Sequence, residues 1–143
     1  MEILKVKTKR RKIGDVGEEA AQKHLRRQGY RILERGYVAC GYEIDLIAQT
    51  RDTLVFVEVK TRSSEGSPRE PRPSSSVTPE KQRKILRAAS YYKLHSQSKK
   101  KMRFDIVEVL LDGECEKLTV KEVRHLIGAF DGDTAYPPRF PRP

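Results

Sequence analysis

The sequence predicts an α/β domain in which one central sheet is flanked by helices. Two observations carry that reading. Segments of helical and strand-like periodicity follow one another in the order helix, three strands, helix, two strands. Within them, Leu54-Val55-Phe56-Val57 is apolar on both faces, as a strand covered on both sides has to be. With 143 residues the chain is long enough for one domain with a real core. The expected organisation is a basic arm over 1–12, a single domain over 13–130 and a proline-rich tail over 131–143.

Each element has a local reason. Asp15 can cap a helix that runs to about Arg27 and stops at Gly29. Val16, Ala20, Ala21, His24 and Leu25 share its apolar face, Glu18 lies at the edge of that face, and Glu19 points away. Extended segments follow at about 30–38, 42–49 and 53–61, the last two joined by a tight turn at Arg51-Asp52. Residues 63–77 contain three prolines and read as a flexible loop, either a substrate flap or a linker. Thr78-Pro79 opens a second helix that runs to about His95 and buries Ile85, Leu86, Ala89 and Tyr92. A basic connector, Ser96 to Lys101, leads to a strand over Phe104–Leu111, a turn at Asp112-Gly113 and a last strand near Glu116–Val123.

Composition narrows the partners. Lys and Arg number 30 against 20 Asp and Glu, giving a net charge of +10 and a pI near 9.8. Such an excess points to a polyanion, nucleic acid above all. No apolar run reaches the ~18 residues of a membrane span, so no membrane partner is expected. Two cysteines, Cys40 and Cys115, suggest neither a disulfide framework nor a zinc site. A cytoplasmic setting is the simplest expectation.

The chemistry concentrates in two strands. Side chains two apart on a strand share a face, so Glu43 and Asp45 project together, as do Glu58 and Lys60. If the strands are antiparallel neighbours, Asp45, Glu58 and Lys60 converge. Carboxylates of that kind can hold a hard divalent cation, with an ammonium beside its water. The same residues would also make a purely structural ion pair.

At this point the sequence resembles a known family. Gly14-x-x-Gly17-Glu18, Glu43-Ile44-Asp45-Leu46-Ile47, the run from Phe56 to Arg62, and Arg103-Phe104-Asp105 look like the YraN-like family of small bacterial proteins. That family is related to archaeal Holliday junction resolvases within the PD-(D/E)XK nuclease superfamily. The resemblance covers roughly residues 10–130. It implies a mixed sheet flanked by helices, a restriction-endonuclease-like αβββαβ core with an extra C-terminal strand. It also implies metal-dependent endonuclease activity on DNA, branched or structured DNA included. Asp45, Glu58 and Lys60 become the catalytic residues, and Mg²⁺ or Mn²⁺ the cofactor. Asp45, Glu58, the carbonyl of Val59 and Glu18 would be its ligands, with Glu43 in support. One departure is Tyr42, where the family usually has glycine.

Thr61, Arg62, Lys81, Arg83, Lys84 and Arg87 are candidate phosphate contacts, with solvated strand-end and helix-face residues as the alternative. His24 reads as a core histidine, His95 and His125 show no partner pattern, and Asp105 reads as structural at a sheet edge. Related resolvases act as two-fold dimers, for which exposed apolar residues of the last hairpin would serve, and activity could require a partner protein. Two functions of different class remain: a metal-dependent nuclease, and a catalytically silent nucleic-acid-binding module of the same fold. A basic ribosome-associated protein explains the charge but leaves the acids idle.

Overall fold

A computed structural model describes residues 9–63, 77–114 and 117–130. The apolar stripe of the first helical segment is the buried stripe of α1 (Lys9–Arg27), with Ala21 and Leu25 fully enclosed. Three strands follow as a meander: β1 (Arg31–Ala39), β2 (Tyr42–Gln49) and β3 (Thr53–Ser63). Cys40 and Gly41 join the first two, both with positive φ (53° and 73°), as a two-residue turn matched to strand twist requires. Between β2 and β3, Asp52 Oδ1 accepts hydrogen bonds from the hydroxyls of Thr50 and Thr53 at 3.2 and 3.0 Å. Helix α2 (Pro79–Ser96) starts from Thr78, whose hydroxyl accepts from the Lys81 amide, and ends at Gln97 in the left-handed region. β4 (Lys101–Asp112) and β5 (Thr119–Phe130) complete the chain's elements.

The sheet order is β1-β2-β3-β4-β5, and only β3 and β4 run parallel. That is the expected mixed sheet, with α2 as the crossover between the parallel strands. α1 packs over β3 and β4, and α2 over β2 and β1. β3 therefore carries one core on each face. Val55 and Val57 meet Ala21 and Leu25 of α1. Leu54 and Phe56 meet Ile85, Ala88 and Ala89 of α2, where Phe56, Phe104 and Phe130 form a stack. Two-sided burial is why this strand reads as an unbroken apolar run.

Several boundaries differ from the sequence reading. α1 begins at Lys9, so Asp15 is an exposed residue inside the helix rather than its cap. β4 begins at Lys101 and β5 extends to Phe130, which shortens the basic connector. Ser63 belongs to β3, and Val77 is buried in the core. The arm's residues 1–8, the loop's residues 64–76, Glu116 and the tail 131–143 lie outside the described residues.

Asp105 is placed differently from the expected sheet-edge position. β4 is flanked on both sides, and Asp105 is fully buried. Its carboxylate accepts from Arg103 Nε and Nη2 at 2.9 Å each and from the Gly128 amide at 2.9 Å, with His125 Nε2 at 2.7 Å. Arg103 also donates to the Tyr30 hydroxyl at 2.7 Å. One carboxylate thus ties the exit of α1 to β4 and to the irregular end of β5. Burial opposes its ionisation, but the bonds from His125, Arg103 and Gly128 prevail and hold its carboxyl below the usual range.

Two stability predictions follow from these contacts. A Cβ at Gly17 would collide with the Thr61 side chain, including its Cβ at 2.7 Å. Gly17→Ala should cost about 1–3 kcal/mol by urea denaturation, and adding Thr61→Ala should recover only part of it. For Asp105→Asn the expected loss is about 3–5 kcal/mol. Because the folded pKa is depressed, the wild-type advantage is present above about pH 4 and fades as pH falls below it; an advantage independent of pH would contradict the ionised network.

Candidate functional site

The β2–β3 ladder runs from Gln49↔Leu54 to Leu46↔Val57 and stops there. Beyond it, the Val59 amide donates to Asp45 Oδ2 at 2.8 Å, so a carboxylate takes the place of a backbone carbonyl. Alternation breaks at the same point: Ile44 packs in the α2-side core and Leu46 in the α1-side core, although they are two residues apart. Asp45 and Glu43 therefore do not simply project together from one face. Asp45 turns into the gap between the strands, and Glu43 remains exposed with its carboxylate beside Gly36. In an extended strand the amide and carbonyl of one residue address the same neighbour, so the Val59 carbonyl also faces the β2 side.

Glu58 lies on the α2 face of β3, in line with Leu54 and Phe56, and its side chain is 12 % exposed. Its Oε1 is 3.6 Å from Lys60 Nζ and 3.1 Å from Lys81 Nζ, and its Oε2 accepts from the Tyr42 hydroxyl at 3.4 Å. Tyr42 thus reaches the central acid. Burial, then the Glu58 and Asp45 charges, raise the Tyr42 hydroxyl well above its ordinary range.

The electrostatics show four acids around one gap. Burial first, then the Glu58 charge, pushes Asp45 from an ordinary 3.8 up to about 7; the Val59 amide opposes this, while Glu18 and Glu43 add to it. Glu18, expected at the edge of the buried face of α1, is raised by its own burial and by Asp15 and Glu43. It approaches from the α1 layer as Lys81 does from the α2 layer. Burial, with the Lys81 ammonium beside it, lowers Lys60. Lys81, which burial alone would also lower, is held above its ordinary value by Glu58. The two lysines shift in opposite directions, in accord with their different distances to the shared oxygen.

Among the described residues, no three His, Cys, Asp or Glu side chains close on one point as a finished metal cage. The donor chemistry nonetheless suits a hard cation that keeps several waters: the Asp45 and Glu58 carboxylates, and the Val59 carbonyl on the same edge. Burial and the Glu58 charge make an ionised Asp45 costly, a cost that such a cation would relieve.

The remaining candidates are spread around this centre. Thr61 points to the opposite face, against Gly17. Arg62 Nε lies 3.9 Å from Glu108 Oε1. Lys84 pairs with Glu80 one turn away at 3.8 Å, Arg83 is half-buried, and Arg87 is exposed. Two residues escaped sequence reasoning. Glu108 is level with Lys60 in the parallel β3–β4 register, and His125 closes on Asp105. Glu108 follows Ile106 on one strand face, a detectable signal; the His125 contact depends on β5 register.

Comparison with known proteins places the chain. The profile of an uncharacterised protein family, UPF0102, matches residues 17–109, the span holding Glu18, Asp45, Glu58, Lys60 and Lys81. The chain belongs to that family. Its relatives include the UPF0102 protein TTE1452 of Caldanaerobacter subterraneus subsp. tengcongensis, 42% identical over 125 residues covering 87% of this chain and 98% of that protein. A UPF0102 protein of Chlorobaculum parvum is 42% identical over 121 residues, 82% of this chain and 91% of the relative. One from Desulfosudis oleivorans is 47% identical over 103 residues, 70% and 80% respectively. The YraN-like resemblance thus holds at the level of the family. Among the described residues no helix is long and apolar enough to cross a membrane.

The raised Asp45 carboxyl has a measurable sign. The folded form prefers the protonated acid, so without metal stability falls as pH rises from about 4 to about 7. Asp45→Asn can still accept from Val59 and removes the charge. At pH 8 in EDTA it should be about 2–4 kcal/mol more stable than wild type by urea denaturation, and its stability should change less across that window. A variant less stable than wild type at pH 8 would contradict this account.

Proposed function

We propose that the protein is a metal-dependent endonuclease that hydrolyses phosphodiester bonds in DNA. The observation that carries the reading is the juxtaposition at the β2–β3 gap: the Glu58 charge raises the Asp45 carboxyl, and Lys60 stands 3.6 Å from Glu58. A structural pair of Glu58 and Lys60 would not need a second, partly buried acid beside it. Relation to the PD-(D/E)XK nucleases rests on the residues themselves, Asp45 on one strand and Glu58-Val59-Lys60 on the next, within a mixed sheet of matching element order.

Asp45, Glu58 and the Val59 carbonyl would hold Mg²⁺ or Mn²⁺, with Glu18 approaching from α1 and Glu43 from outside the gap. When bound, the cation would polarise a phosphoryl oxygen and acidify its water. The protein's own part is positional. The Val59 amide fixes the Asp45 carboxylate, and the Tyr42 hydroxyl fixes one oxygen of Glu58. Lys60, lowered by burial, can orient a water or take its proton more readily than an exposed lysine. Arg62, Arg83, Lys84 and Arg87 supply sequence-independent attraction for a phosphate backbone, within a chain of net charge +10.

A second reading has one observation in its favour. Glu58 is met by two lysines and a tyrosine, a state in which a nucleic-acid-binding module with no activity could rest.

The deciding assay uses labelled four-way, flapped, single-stranded and duplex DNA with Mg²⁺, Mn²⁺ or EDTA. Wild type should cut in the presence of metal only. Lys60→Ala should reduce the rate at least ~10²-fold, and Asp45→Asn should abolish cutting, while both variants retain binding. Binding by wild type with no cleavage of any substrate would favour the silent module instead.

A further inference from the structure

Lys81 occupies a position that its own helix does not favour. Counting from the Thr78 cap, Pro79 is the first helical residue and Lys81 the third. That first turn presents unpaired amides and the positive end of the helix dipole, where acids are favoured and cations are not. The adjacent Glu80 follows the rule and pairs with Lys84. Lys81 breaks it, and its Nζ extends instead across the layer boundary to Glu58 Oε1 at 3.1 Å.

The consequence lies in what Glu58 has left to offer. Lys81 and Lys60 both approach Oε1, and the Tyr42 hydroxyl takes Oε2. Two ammonium groups thus share one carboxylate oxygen. A divalent cation needs lone pairs of the same carboxylate and would bring a third centre of positive charge to it. Lys60 stands two residues on along the same strand face, so its backbone stays beside Glu58. Lys81 reaches in from another layer on a flexible stem, and rotation about that stem is enough to withdraw it.

We infer that Lys81 is the resident counter-ion of Glu58, a positioning residue that competes with the divalent cation and withdraws from the carboxylate when the cation binds. This rests on the metal-site reading of Asp45 and Glu58 and adds to it a built-in brake on metal loading. It also gives Lys81 a role apart from the other basic residues of α2. Lys84 is engaged within the helix, and Arg87 faces solvent; neither contacts Glu58 in this structure.

The test is calorimetric titration of Mn²⁺ into wild type, Lys81→Met, Lys81→Gln and Lys81→Arg, with no nucleic acid present. Methionine keeps an unbranched apolar stem, and the backbone amide that Thr78 caps is unchanged. Glutamine provides a second neutral variant should methionine disturb folding, which circular dichroism would reveal. Both neutral variants should bind Mn²⁺ roughly ten-fold more tightly than wild type, and arginine should return the affinity towards the wild-type value. Tight binding by the neutral variants with none detectable in wild type would support the brake in its strongest form. Wild-type binding that the neutral variants leave equal or weaken would overturn the counter-ion role and leave the metal site standing. Absence of binding in every variant would remove the metal site, and the inference with it.

Discussion

Val59 gives its amide to the Asp45 carboxylate rather than to a carbonyl of β2, and the arrangement of the site depends on that exchange. A ladder that continued past Leu46↔Val57 would close the two strands edge to edge. Side-chain capture of the amide keeps the strands apart without leaving a buried donor unsatisfied. It also carries an acid into the gap, where the charge of Glu58 and the loss of water make ionisation costly. Opening the sheet and concentrating negative charge are therefore one event. Residues from both layers can then address the same point, Glu18 from one side and Lys81 from the other.

Two acids, Asp105 buried and Asp45 partly so, answer to opposite surroundings. Asp105 is fully enclosed yet held ionised, because Arg103, His125 and the Gly128 amide surround it with donors. Asp45 has one amide to set against burial and neighbouring anions, and its carboxyl moves up. The first is a completed network, whose value is to fix where β5 and the end of α1 lie. The second is an incomplete one, and the proposed function draws on that incompleteness.

Much of this was legible in the sequence, because local patterns were strong. The two-sided apolar run of Leu54–Val57 fixed β3 as interior, and the period of Val16, Ala21 and Leu25 fixed the buried face of α1. The pairing of the two acid-bearing strands followed from a short turn. Features that depend on tertiary register were not legible. Strict alternation fails at Asp45 because a side chain replaces a carbonyl there. Lys81 read as one of several candidate phosphate contacts on α2, since nothing on that helix itself reveals an acid waiting on β3. The face of Glu108 is readable from Ile106, but its place level with Lys60 comes only with the parallel β3–β4 register. Asp105 looked like an edge residue because β5, expected to end near Val123, runs on to Phe130 and brings His125 and Gly128 to it.

The parallel pairing of β3 and β4 has a consequence for the order of assembly. β1, β2 and β3 are joined by short turns, so Asp45 and Glu58 can meet through contacts that are close in sequence and cheap in loop entropy. Lys81 arrives only with α2, whose docking belongs to the slower closure of the crossover onto β4. A chain that had formed only its meander would hold two mutually repelling carboxylates and only one of the two lysines. Docking of α2 both takes the water from these acids and brings the second lysine to Glu58.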